Sequence, residues 1–465
     1  MPWPGNRKEI LIMKFFRETL LAASLAVMTA GCTALHSEYE RPDLAEYAFV
    51  QGGTEKAEIN PDFWQAFRDP YLDALTAEVL KARNDYRQAV LSAQKALKEA
   101  EITDTNMIPN VDGSLGSGAS RALKHGSHSS LYGKSGLSIS YEADLFGRLS
   151  AERKAQTLTA EAALQDARAA RMTVAGTVAK LYWSLLYYQD AIKLLKENLE
   201  SSMSRQKLMQ LRYDSGKLSE LDLSESRVEV VSVMSQIDDN ETKLRNTIAA
   251  INVLRNRVPD TPVENRGTLR DIFVPEITPG LSGDVLRFRP DIASCEARLK
   301  AALASRDKAH LDMYPRLTLT AGVSAGGNTN IVDFFRNPVG SLAGMLAFPF
   351  LNYYQNSLRV DLAELNRDSA EVTFVYKYYN ALSEVQQGLN NISWYRQKNE
   401  YNKIQLELRR NNEEMYQTRY ANGKVSFKDL LEARTARRNT ELSLLSEQEN
   451  LLNSLKDLAL AMGGF

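Results

Sequence analysis

Fourteen prolines punctuate this 465-residue chain, yet none falls in 110–258 or 350–465. Proline inside a helix removes a backbone hydrogen bond and clashes with the preceding turn. Two such long gaps therefore admit helices far beyond the globular average. The apolar periodicity agrees. Leu181, Leu185, Tyr188, Ile192, Leu195 and Leu199 step 4-3-4-3-4, and Leu444, Gln448, Leu451, Leu455, Leu458 and Met462 do the same. These are coiled-coil seams. A helix from about 150 to 213 would run about 95 Å at 1.5 Å per residue.

Two regions read as β instead. Gly and Ser enrich 108–117 and 131–142, and Leu137, Ile139 and Tyr141 alternate with Ser138 and Ser140. Leu317, Leu319, Ala321 and Val323 alternate likewise, followed by Leu342, Gly344, Leu346, Phe348 and Phe350. Polar, Gly- or Asn-containing stretches separate each pair, which predicts hairpins over about 108–142 and 315–350. Each strand is long enough for a tilted membrane strand. Four strands cannot close a pore, so several chains would have to share one barrel.

The chain also repeats itself. RYDSGKLSELDLSESR at 212–227 answers RYANGKVSFKDLLEAR at 419–434 with a constant offset of 207 residues, and Met107-Ile108-Pro109 answers Met313-Tyr314-Pro315. The period is too long for a solenoid and reads as a duplicated half, helix, hairpin, long helix, turn and helix in each copy. Gly216 and Gly423 fit the left-handed position that ends a helix, so 213–219 and 420–426 become the tips of coiled-coil hairpins. The boundaries that follow are a first repeat over 71–257, a linker over 258–288 and a second repeat over 289–465.

The N-terminus is a processing signal. Lys14 and Arg17 precede a short apolar core, Leu20–Ala30, and small residues lead to Cys32. The run is too short for a membrane span. Residues 1–31 read as a signal peptide, with Met13 an alternative start, and 32–70 as an extended N-terminal segment. Thr29-Ala30-Gly31-Cys32 resembles a bacterial lipobox, in which the cysteine carries acyl chains. Residue 33 is Thr rather than the Asp that retains lipoproteins in the inner membrane, which points to the outer one. Several acyl chains anchor firmly. No run of 18 apolar residues follows Cys32, so a membrane crossing must be a closed barrel.

Net charge is −1 with 25% charged residues, which gives no basic bias toward nucleic acid. With Cys32 acylated, Cys295 is alone, and no intrachain disulfide is expected. His125 and His128 lie in the polar tip of the first hairpin, and His36 and His310 stand apart. No catalytic spacing or phosphate loop stands out, and neither enzyme activity nor a cofactor beyond the lipid on Cys32 is expected.

Six segments carry a resemblance to the TolC-like outer membrane factor family, in its lipid-anchored, NodT-type branch. They are FWQAFRDPYLDAL (63–75), SYEADLFGRLSAE (140–152), RYDSGKLSELDL (212–223), RPDIASCEARLKAALA (289–304), YPRLTLTAG (314–322) and RYANGKVSFKDLLEAR (419–434); the ending ALAMGGF fits as well. The departures are Cys295 at a usually small position and Arg434-Thr435 where Gln-Arg is commoner. The resemblance implies a mainly α fold with a membrane β portion. A homotrimer would share a twelve-stranded barrel set on a coiled-coil tube, in the outer membrane with its lipid and reaching into the periplasm. It implies two partners, a periplasmic adaptor (membrane fusion protein) and an inner-membrane pump of the RND or a related type. The protein itself would be the passive exit duct. On the motif, Asp222 and Tyr420 match the periplasmic gate, Asp429 and Glu432 an acidic entrance ring, and Gly216 and Gly423 the adaptor-docking tips. An acidic ring favours cations. Without the resemblance these acids read as a solvated helix face. The competing reading is a structural coiled-coil lipoprotein without a channel, which needs neither membrane-length hairpins nor a duplication.

Overall fold

The computed structural model describes residues 37–44, 62–121, 130–265, 267–275, 283–327 and 338–464. The signal segment, Cys32, His36, His125 and His128 lie outside them. Helices α1 (Pro70–Ala82) and α2 (Asn84–Asp104) lead to strands β1 (Asn110–Ser120) and β2 (Ser130–Ala143), then to α3 (Arg148–Asp214) and α4 (Glu220–Leu254). The second half runs α5 (Pro290–Leu311), β3 (Arg316–Gly327), β4 (Val339–Ala347), α6 (Tyr353–Ala421) and α7 (Phe427–Met462). The two proline-free stretches thus contain α3, 67 residues long, and α6, 69 residues long. Packing groups the chain into two units, and each draws on both sequence repeats.

The first unit comprises residues up to 44, 91–164 and 294–376. Its four strands form one antiparallel sheet in the order β1-β2-β3-β4. The β2–β3 pairing joins the two hairpins and is not visible in local sequence. Directly paired residues point to the same face. One face therefore carries Val111 and Leu115, then Leu137, Ile139 and Tyr141, then Leu317, Leu319, Ala321 and Val323, then Leu342 and Leu346. The other carries Asn110, Asp112 and Ser114, then Lys134, Ser138, Ser140 and Glu142, then Arg316, Thr318, Thr320 and Ser324, and on β4 Ser341 together with the apolar Val339, Ala343 and Met345. Strands of 9 to 14 residues with this division have the pattern of a barrel wall facing lipid outside and water inside.

Aromatic side chains gather at one end of the sheet. Tyr141 is near the end of β2, Phe146 packs on Tyr314 at 5.0 Å, and Phe348 meets Phe350 edge-on at 5.7 Å. Tyr353 and Tyr354 follow, largely exposed. Such a belt belongs at a membrane–water boundary. Phe348 and Phe350 leave the strand in which the alternation placed them. Pro349 has no N–H for the ladder, and the chain turns into a 3₁₀ segment at Pro349–Asn352. Ser37 is tied beside α5, its N–H and hydroxyl both donating at 2.8 Å to the buried Asp307 carboxylate.

The second unit comprises 45–90, 165–293 and 377–465. Its core explains why the first motif reads as it does. Phe63, Trp64 and Phe67 are buried, with Phe67 edge-on to Trp183 at 4.8 Å. Asp69 caps α1 by accepting from the N–H groups of Tyr71 and Leu72, and Pro70 occupies the first helical position, where no N–H is needed. The RPD motif closes the far end of α7. Arg289 donates to both Asp291 oxygens at 2.9 and 3.0 Å, to the Ala461 carbonyl at 2.8 Å and to Glu384 at 2.7 Å. Gly463 ends α7 at φ 86°, and a Cβ there would stand 2.7 Å from the Phe288 carbonyl oxygen.

Candidate functional site: the helical tips and a charged clasp

Both tips are built by the same local chemistry. Helix α3 ends with Gly216 N–H donating to Tyr213 O and Lys217 N–H to Arg212 O, each at 2.9 Å. Helix α6 ends identically, through Gly423 N–H to Tyr420 O and Lys424 N–H to Arg419 O. This pair of bonds satisfies the last carbonyls and requires a left-handed residue. Gly216 sits at φ 70° and Gly423 at φ 67°, with no neighbour within 4 Å of a would-be Cβ. The glycines are thus required by backbone conformation and not by space. Gly423→Ala should cost about 1–2 kcal/mol, seen as faster proteolysis at 420–426; cleavage at the wild-type rate would show that the turn needs no glycine.

Asp222 and Asp429 occupy equivalent positions. Ser219 caps α4, its Oγ accepting from the Asp222 N–H and donating to the Asp222 carboxylate at 2.9 Å. Ser426 caps α7, and Asp429 closes a capping box by accepting from the Ser426 hydroxyl at 2.7 Å and its N–H at 2.9 Å. These bonds hold the Asp429 carboxyl below its ordinary range, the Ser426 hydroxyl contributing most. Tyr420 lies elsewhere, tilted over Phe427 at 5.7 Å with its hydroxyl donating to the Met209 sulfur at 3.6 Å. It packs on a core of Met209, Leu223, Phe427 and Leu430, which unites all four helices. Within one chain Asp222 and Tyr420 therefore serve different partners. Glu432 is exposed, in a groove between α4 and α7 shared with Glu225, Val228 and Lys428.

Farther along the same helices lies a charged clasp that sequence patterning missed. Glu229 of α4 accepts from Ser202 at 3.0 Å and from Arg205 of α3 at 3.2 Å, with Arg438 of α7 at 3.9 Å. Glu413 of α6 pairs with Arg434 at 3.2 Å and Arg437 at 2.5 Å. Arg437 also reaches Glu441 at 2.6 Å and Asn198 of α3 at 3.2 Å, while Arg410 meets Glu441 at 3.0 Å. The departure at Arg434-Thr435 is part of it. One residue along a helix is a rotation of about 100°, so placing Arg at 434 directs it to Glu413, where it is buried.

Two surfaces have no partner among the described residues. Along α6, Leu362, Leu365, Val372 and Tyr376 in the first unit, and Tyr401, Ile404, Leu408 and Met415 in the second, are more than half exposed at spacings of three, four and seven. In the sheet, β1 and β4 each pair on one side only.

The sequence model described as "Outer membrane efflux protein" matches residues 75–256 and 281–464, one match in each repeat. The chain belongs to the outer membrane efflux protein family. It is the outer-membrane channel component of an efflux system. Among similar proteins, the probable outer membrane lipoprotein SilC of Salmonella typhimurium is 26% identical over 463 residues, covering 97% of this chain and 99% of SilC. The pyoverdine export outer membrane protein OpmQ of Pseudomonas aeruginosa is 24% identical, covering 89% of each. A crystal structure of CusC superposes with a TM-score of 0.84 at 23% identity, covering 93% of this chain and all of that one. The TolC-like fold, mainly helical with a membrane β portion, is therefore that of this efflux protein.

Proposed function

We propose that three copies of this efflux protein close one twelve-stranded barrel and one helical tube, forming a passive exit duct for cargo delivered by an inner-membrane pump. The observation that carries this is the sheet: one face apolar, one polar, and both edges open. Unpaired strand edges are not tolerated in hydrocarbon, so a barrel must be completed by further copies. The exposed heptad stripe of α6 supplies the matching contact between helices. Acyl chains on Cys32 would hold the duct in outer-membrane lipid. The tips would meet a periplasmic adaptor, whose docking would shift the helices between closed and open packings. The cargo is a small molecule or a metal ion selected by the pump. The reading involves no catalytic step, no nucleic acid and no cofactor other than the lipid.

Asp222, Tyr420, Asp429 and Glu432 belong to the periplasmic mouth in this reading, with divided labour. Tyr420 and the two aspartates shape the tips, and Glu432 presents its charge to solvent. Single-channel recording in planar bilayers tests this. Wild type should give a small, cation-selective conductance. Glu432→Ala should reduce selectivity with thermal stability unchanged, whereas Asp429→Ala should also loosen the tip. Folded trimers without conductance would instead favour a structural coiled-coil lipoprotein.

A further inference from the structure

The interior of the clasp does not balance its charge. Arg205, Arg434, Arg437 and Arg438 are set against Glu229, Glu413 and Glu441, four guanidiniums to three carboxylates. Arg410 joins at the rim, 60% exposed and solvated. Arg437 takes Glu441 and shares Glu413 with Arg434. Glu229 alone is left to face Arg205 and Arg438. The side chains of Arg434 and Arg438 are 9% and 6% exposed. Even so, Arg434 Nη1, Arg438 Nε and Arg205 Nε are buried and reach no acceptor among the described residues. Burial, with neighbouring guanidiniums adding to it, holds Arg434 and Arg438 below arginine's ordinary pKa. Buried charges are paired as a rule, and guanidinium forks are the side chains best suited to gripping an anion.

Apolar layers flank the clasp along the helices. Leu195, Val233 and Ile237 pack on one side of it, and Met209, Leu223, Phe427 and Leu430 on the other. A ligand between them must be small, and a surplus of one positive charge calls for one negative charge. We propose that the donors of Arg205, Arg434 and Arg438 that Glu229 and Glu413 leave open bind a single small monovalent inorganic anion, of chloride's size and charge. The ion would complete the wall of the helical bundle by balancing α3 and α7 against α4.

The test uses the full-length protein in detergent, unfolded by heat at constant ionic strength while sodium gluconate is exchanged for sodium chloride. Gluconate is too bulky to enter between packed helices. Wild type should show a saturable rise in Tm of a few degrees, as ligand binding to the folded state requires. Arg434→Gln is shorter but stays polar, keeps the carbon stem through Cδ and removes the surplus charge. It should fold, match or exceed the wild-type Tm in gluconate, and lose the chloride response. Crystals grown in bromide should show an anomalous peak within hydrogen-bond reach of Arg434 Nη1. A wild-type Tm indifferent to chloride, an unchanged response in Arg434→Gln, or well-ordered bromide crystals without that peak would overturn the site and leave a merely hydrated clasp.

Discussion

Leu342→Arg should abolish accumulation of the protein in the outer membrane, whereas Ser341→Arg, one residue away, should leave it largely intact. The two positions are neighbours on β4, and successive strand residues point to opposite faces. Leu342 pairs with Ala321 on the apolar face and is 84% exposed in the single chain. Ser341 pairs with Gly322 on the polar face, where its hydroxyl makes only a 3.4 Å contact to the Gly322 carbonyl. Leu342 is fourth of the nine residues of β4, close to mid-depth. An arginine facing lipid there costs about 2–4 kcal/mol per strand, and every copy in the barrel would bear it. An arginine facing a water-filled lumen loses little solvation. Membrane fractionation, with the heat-stable oligomer followed on gels, separates the two outcomes. Loss of Ser341→Arg alone would show that the sheet faces the other way, and equal accumulation of both variants would show that neither face of β4 meets lipid there.

How far the fold could be read from sequence depended on whether the signal was local. Proline-free stretches and heptad seams located α3, α4, α6 and α7, because helix periodicity is written every three or four residues. The tip glycines were legible for the same reason, since a left-handed residue after a helix is nearly always glycine or asparagine. Alternation located the strands, and it failed at Phe348 and Phe350, where Pro349 overrode an apolar pattern that continued past the last ladder bond. The β2–β3 pairing joins residues nearly two hundred positions apart and has no local signature. At the tips, the resemblance singled out Asp222 and Asp429 but did not reveal that each carboxylate is committed to a cap. A sharper reading was available, for Ser219-x-x-Asp222 and Ser426-x-x-Asp429 both have the form of an N-terminal capping signal. The clasp was beyond reach. Arginines and glutamates on a coiled coil read as solvated surface, and only packing of four helices shows that Glu229, Arg434 and Arg438 are inside.

The RPD motif has a structural task whose removal should be costly. Arg289 is 7% exposed and engages four acceptors: both Asp291 oxygens, the Ala461 carbonyl and Glu384. Arg289→Ala leaves the Ala461 carbonyl without this donor and frees Asp291 and Glu384, which repel each other. Breaking a buried charge pair on one side costs about 3–5 kcal/mol. Glu384 is half exposed and can resolvate, so the lower end of that range applies. Lysine supplies the charge without the fork, and Arg289→Lys should fall between wild type and alanine. Denaturant unfolding measures the loss, and hydrogen exchange at 459–464 shows whether the last turn of α7 frays as expected. Acidity offers a second approach to the same contact. Burial alone would raise the Asp291 carboxyl, but the hydrogen bonds and charge of Arg289 hold it below its ordinary value. A carboxyl depressed in the folded state stabilises above its unfolded pKa, and that contribution is lost as pH falls through the folded one. Wild type should therefore lose stability more steeply than Arg289→Ala as pH drops below the usual carboxylate range, so that the two curves converge in acid. Parallel curves would mean that Arg289 and Asp291 do not act as a pair, and an alanine variant as stable as wild type at neutral pH would remove the motif from the forces holding the end of α7.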